Sequence, residues 1–175
     1  MLRGERIDLR PIAESDLPLL ESWEEDPSYN SDYNSFGLHP ATHVRHAFVQ
    51  HGYLTDDRGR LLAVDKAGEA VGDVSYRVVK HGGGIANRVY EIGVTIAPEH
   101  RRKGYGAEAQ SLLVTYLFAT YAIARVQATT DVENLPEQRA LERAGFTREG
   151  VLRQAQFRNG SWHDVVMYSK VRGEP

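Results

Sequence analysis

The 175-residue sequence contains no cysteine and only two methionines. Without a thiol there is no disulfide, no thiolate metal site and no cysteine nucleophile. No window approaches the run of about 18 apolar residues that a membrane-spanning helix needs. The opening, MLRGERIDLRPIAESDL, is peppered with charge and lacks an apolar stretch, so no secretory leader is expected. Positive charge is not in excess: a net charge of −3 argues against a surface that is basic throughout, and no nucleic-acid partner is expected. Repeats and low-complexity tracts are missing. What remains, 41% apolar and 26% charged, suits an ordinary globular chain. The expectation is one domain over residues 1–175, in the reducing cytoplasm, with no membrane partner.

Strand and helix patterns alternate along the chain. Arg6 to Arg10 alternates as a short first strand, and Ser15 or Asp16 can cap a helix through about Glu24. Asp26 to Pro40, rich in Asn, Ser, Tyr and Pro, reads as a long loop, followed by a second helix over about Ala41 to His51. Leu61 to Asp65 and Ala70 to Val79 read as strands, and Lys80 to Asn87 as a glycine-rich connection. In the next strand Tyr90, Ile92, Val94 and Ile96 share one face, with Glu91, Gly93 and Thr95 on the other. Ala109, Leu112, Leu113, Tyr116 and Leu117 follow a helical spacing. Then come a strand over Ala124 to Thr130, a helix from Asn134 to Gly145, and strands Arg148–Phe157 and Trp162–Lys170 around Asn159-Gly160. The mixed order gives an α/β or α+β sheet with about four helices against it.

Residues 91–109 read EIGVTIAPEHRRKGYGAEA. A strand, a basic glycine-bearing turn and a helix leave the first helical N–H groups unpaired, a ready site for phosphate. Gly104 and Gly106 remove the Cβ atoms that would hold a diphosphate off the backbone, and Arg101, Arg102 and Lys103 add charge. A Walker loop is excluded by spacing. Gly104, Gly106 and Ala109 formally match a dinucleotide fingerprint, leaving an NAD-type oxidoreductase as a distant alternative, but PEHRRK intervenes after the strand. A solvated basic turn is the plain reading, and a coenzyme A turn the remaining one.

VTIAPEHRRKGYG resembles the acyl-CoA signature of the GNAT acetyltransferase superfamily, with Arg101, Gly104 and Gly106 in its three defining places. NLPEQRALERAGFTREGVLR is similar to a second motif of that superfamily, with Asn134, Gly145, Phe146, Glu149 and Gly150 in register. The opening RIDLRPIAESDLPLL and the closing NGSWHDVVMYS resemble the RimJ/RimL-type branch that acetylates ribosomal-protein N-termini. The resemblance implies a GNAT fold: a mixed central sheet of about six or seven strands whose fourth and fifth strands part to admit the pantetheine arm. It implies acetyl-CoA as co-substrate, no metal, and an amine acceptor, either a protein N-terminus or a small amine such as a polyamine or an antibiotic. A homodimer stays open. Val94, Thr95 and Ile96 would pair with the pantetheine amides. Amides from Arg102 through Lys103, Gly104, Tyr105 and Gly106 to Ala107 would hold the pyrophosphate. Asn134 would bond the arm or merely cap its helix. A CoA-sensing module without catalysis is the alternative of another class.

Acyl transfer to an amine needs a base, because an alkylammonium loses its proton only near a pKa of about 10. Glu91, on the strand beside the implied acyl site, is the candidate; a surface glutamate paired with Arg77 is the competing reading. Glu137 stands where the branch usually has Ser or Ala near the thiol. It is either a catalytic carboxyl or, three residues after Asn134, the second half of a capping box. The tyrosine proton donor of some superfamily members is missing, since Ala140, Leu141 and Ala144 take its buried side. Tyr29, Tyr33 and Phe36, in the long loop, are candidates for holding the acceptor. His39, His43, His46 and His51 form no recognisable metal motif, and His163 could touch the acceptor or serve structure.

Overall fold

The computed structural model describes residues 1–84 and 87–174. The middle of the glycine-rich connection, residues 85 and 86, lies outside the described residues, as does residue 175.

Eight strands form one sheet: β1 (Leu2–Arg3), β2 (Ile7–Pro11), β3 (Arg58–Asp65), β4 (Ala70–Lys80), β5 (Arg88–Ile96), β6 (Arg125–Asp131), β7 (Thr147–Arg158) and β8 (Ser161–Val171). Their spatial order is β1-β2-β3-β4-β5-β6-β8-β7. All neighbours are antiparallel except β5 and β6, which are parallel and pair at only two positions, Tyr90 with Val126 and Glu91 with Gln127. Beyond those pairs the strands part, while β4 stays paired to β5 as far as Ile96. The fourth and fifth strands of the sequence reading are β5 and β6. The strand count rises because β1, two residues long, is too short to show a period.

Five helices flank the sheet: α1 (Leu17–Glu25), α2 (Pro27–Asn30), α3 (His43–His51), α4 (Tyr105–Thr120) and α5 (Leu135–Arg143). The extra one, α2, interrupts the expected loop: Asp26 accepts from the Ser28 amide as N-cap, and Pro27 holds the first helical position. Asp16 does not cap α1. Its carboxylate instead accepts from the Ala13 amide and pairs with Arg10 at 2.7 Å. At the other end of the chain, Asn159 and Gly160 both take positive φ, the type I′ turn their sequence demands.

Two cores sit on opposite faces. On one, Tyr90 and Ile92 of β5 and Val126 of β6 pack against Leu113 and Leu117 of α4 and Leu141 of α5. On the other, Leu62 and Val64 of β3 pack against Leu20 and Trp23 of α1, Tyr29 of α2 and Val44 of α3. This second cover stops short of mid-β5, where Gly93 is exposed although its strand is central. No described helix is long and apolar enough to cross a membrane.

Candidate active site

Directly after β5 a single 3-10 turn, Pro98–His100, leads into Arg101–Gly104 and then α4. Arg102 and Gly104 both take positive φ, folding the chain sharply back at the mouth of the helix. The consequence is electrostatic. Among the described residues, none of the amide N–H groups of residues 102–107 has an acceptor, and the helix proper begins with the Glu108 amide bonding Gly104. Six amides in succession plus the positive end of a 16-residue helix make a site for a polyanion. Arg102 and Lys103 are exposed beside it.

An added Cβ tests whether the glycines serve the fold or a ligand. At Gly106 it would meet only Ile96 Cγ1, at an ordinary 3.8 Å, so packing does not require glycine there. The cradle therefore has room that a diphosphate can use. Val94, Thr95 and Ile96 are half-buried along the stretch of β5 that β6 has left. Tyr105 offers its amide while its side chain packs on the α4 core, and Ala107 lies half-buried in the first turn.

Arg101 is placed differently from the expectation. Its guanidinium donates to the carbonyls of Ile96 (2.9 Å), Ser28 (2.7 Å) and Tyr29 (3.0 Å), strapping α2 to the end of β5. These bonds leave the side chain tied to backbone rather than turned to a phosphate. Tyr29 needs the same correction. It is 2% exposed, stacks on Trp23, and donates to Asp73 at 2.5 Å, so it is a core residue and presents nothing to an acceptor. Tyr33 is half-buried, its hydroxyl on the Glu133 carbonyl and its ring under the Arg158 guanidinium, and Phe36 is 56% exposed.

Glu91 lies at the apex of the parting strands. Its Oε1 accepts from Arg77, with Nε at 3.0 Å, and its Oε2 accepts from Gln127 Nε2 at 2.9 Å. Gln127 in turn meets His81 at 2.7 Å. The Arg77 pairing considered from sequence thus exists, and it holds the carboxylate beside the cleft rather than away from it. At the C-terminal end of β6, buried Asp131 pairs with Arg158 and stands 3.4 Å from His163 Nδ1, whose Nε2 meets Ser161. Burial works to raise the Asp131 pKa, yet Arg158 and the Glu133 amide hold it below the ordinary carboxylate range.

Asn134 caps α5 with its Oδ1 on the Glu137 amide, and its Nδ2 donates to Thr130 Oγ1 at 3.0 Å. The capping box is only half made. Instead of returning to Asn134, the Glu137 side chain crosses to α4, where Oε1 accepts from Gln110 Nε2 at 2.9 Å. Gln110 is 1% exposed, and its own Oε1 has no partner among the described groups. Burial pushes the Glu137 carboxyl up to about 8, offset only in part by the glutamine. The sequence reading missed Gln110 and Gln127. Gln110 had a signal, a polar residue inside the buried stripe Ala109–Leu113–Leu117; Gln127 had none, because a parallel register is not written locally.

Residues 6–147 match the family model described as the acetyltransferase (GNAT) domain. An uncharacterized N-acetyltransferase of Bacillus subtilis, YoaA, is 29% identical over 177 residues, covering 98% of this chain and 97% of its own. The ribosomal-protein-serine acetyltransferase of Escherichia coli is 26% identical over 125 residues, 70% of this chain and 68% of that protein. Among solved structures, spermidine N-acetyltransferase from Vibrio cholerae, in complex with CoA and spermine, superposes with a TM-score of 0.83 over 98% of both chains at 21% identity. That likeness shows a shared fold.

Proposed function

The chain belongs to the acetyltransferase (GNAT) family, and on that premise we propose that it moves the acetyl group of acetyl-CoA to a primary amine by direct attack within a ternary complex. The observation that carries this reading is the row of unpartnered amides at 102–107 standing at the end of a strand whose neighbour has parted from it. Residues 102–107 hold the pyrophosphate, the freed edge of β5 from Val94 to Ile96 receives the pantetheine amides, and Asn134 faces the arm from α5. The coenzyme supplies an activated acyl group. The chain supplies position and proton handling.

The acceptor is a protein N-terminus or a small amine; of the proteins compared above, one by its name acetylates a ribosomal protein and another spermidine. The ammonium proton must leave before nitrogen can bond carbon. Glu91, half-buried at the cleft floor, takes it directly or through a water. As the carbon–sulfur bond breaks, negative charge collects on sulfur, and Glu137, neutral at physiological pH, stands as the proton source.

Calorimetry with CoA and a thiol-release assay across amines test the reading. Heat with CoA and amine-dependent release are expected; absence of heat sinks the coenzyme site, and heat with no release from any amine makes the protein a binding module. Glu91→Gln is expected to lower kcat about a hundredfold with CoA affinity unchanged, the lower end of what a general base contributes. A kcat within twofold of the parent removes Glu91 as the base.

A further inference from the structure

On the Glu91 face of the sheet four strand carboxylates, on β4, β5, β6 and β7, are each matched by an arginine, and Asp8 on β2 by Lys66. Asp73 on β4 is gripped by Arg60, Nε to Oδ1 at 2.9 Å and Nη2 to Oδ2 at 3.0 Å. Glu91 on β5 is held by Arg77, Asp131 on β6 by Arg158, and Glu149 on β7 by Arg125 at 3.3 Å, with Ser169 completing its shell. The register puts these groups on one side: Arg77 lies opposite Glu91, Glu91 beside Gln127, and Gln127 opposite Ser169. Alternation from Gln127 carries Asp131 to the same side. α4 and α5 cover the other face of the sheet, so an acceptor must approach the acyl group from this one, past exposed Gly93.

A polyamine carries a further ammonium within a few bonds of its reactive nitrogen, and it needs an unneutralised carboxylate to hold it. Here the strands offer none. What faces solvent is the opposite charge: the Arg77 side chain is 71% exposed, and both of its bonds to Glu91 go to the single oxygen Oε1. Its other guanidinium N–H groups have no partner among the described residues, so the charge on this face repels a second cation and matches a carbonyl or carboxylate.

We infer, resting on the acetyl-transfer reading above, that the acceptor is a peptide or protein N-terminus, in which the reactive amine is the only nearby cation and its own carbonyl reaches Arg77, and that Arg77 is the residue excluding polyamines. An α-amino terminus places its carbonyl oxygen about 3 Å from the nitrogen, within the span between Glu91 and the free side of Arg77. Acidic residues at the next positions strengthen the match.

The test compares spermidine and spermine with a tetrapeptide beginning Ser-Asp, on the full chain. Thiol release is expected to give the peptide at least tenfold the kcat/KM of either polyamine. Arg77→Met is expected to lower the peptide value about tenfold through KM and to raise the spermidine value similarly, whereas Arg77→Lys keeps the parent order. Circular dichroism and CoA affinity establish that each variant folds. Calorimetry in the presence of CoA reads the same preference without turnover, so a protein that binds but does not transfer still gives an answer. Preference for a polyamine in either assay overturns the inference while leaving acetyl transfer intact, as does an unchanged peptide-to-polyamine ratio in Arg77→Met. No thiol release with any amine, together with peptide binding favoured, sinks the acetyl-transfer reading alone.

Discussion

Gly106→Val is expected to raise the Kd for CoA a thousandfold or more, about 4 kcal/mol, and to leave the fold as it was. A diphosphate hydrogen-bonded to amide nitrogens lies about 3 Å from the backbone, closer than a branched side chain at the second residue of α4 permits. The protein itself has no objection to the extra atoms. A Cβ at Gly106 meets only Ile96 Cγ1 at 3.8 Å, and Gly106 is not among the positive-φ glycines. Gly106→Ala separates the two effects further: it gains about 0.5–1 kcal/mol of stability by removing unfolded-state freedom, yet loses coenzyme affinity about tenfold. Gly104 cannot serve as the probe, because at φ +84 any other residue strains the turn. Thermal melting and calorimetry on the same samples check the pair. A valine variant that binds CoA within threefold of the parent would place the diphosphate elsewhere and remove the main support for the active site.

How far the site could be read from sequence follows from whether its parts are local. The strand–turn–helix of residues 88–120 is written in neighbours, so the turn with its row of unpartnered amides was legible, down to the glycine that leaves it open. The same holds for the α5 ending, where Gly145 at φ 82 and the Phe146 amide on the Leu141 carbonyl make the Schellman closure that Gly-Phe announced. Long-range partners are another matter. Arg101 looked like a phosphate ligand because its neighbours are basic, but the Ile96 carbonyl at the end of β5 and those of Ser28 and Tyr29 on α2, 73 and 72 residues away, claim it. Tyr29 looked like a loop aromatic until α2 carried it under Trp23 and onto Asp73. Asn134 and Glu137 had capping-box spacing, and spacing alone could not show that Gln110, on another helix, offers the carboxyl a drier partner. The four arginine–carboxylate pairs likewise span 13 to 27 residues and form only once the strand register is set; of them only Glu91 with Arg77 was considered from sequence.

That drier partner gives Glu137 a thermodynamic signature. With its carboxyl pushed up to about 8 from an ordinary 4.5, the folded chain keeps a proton that the unfolded chain releases across that window. The stability this proton carries is complete below about pH 4.5 and is lost progressively as pH rises to about 8. At 1.36 kcal/mol per pH unit the full loss would exceed 4 kcal/mol; Glu137 is half-buried as a residue, so about 3 kcal/mol is the expected size. Glu137→Gln should abolish that slope. A glutamine keeps the bond from Gln110 Nε2, carries an N–H that the orphaned Gln110 Oε1 can accept, and does not titrate. At pH 8.5 the variant is expected to melt about 6–12 °C above the parent, and at pH 4 to melt with it. Parallel melting curves at both pH values would mean that the carboxyl is ionised in the cleft. On the proposed mechanism the same substitution removes the proton for the departing sulfur, so a gain in stability should come with a fall in kcat that coenzyme affinity does not share. A variant stabilised at alkaline pH with full kcat would leave Glu137 a structural acid and send the search for the proton donor to the water of the cleft.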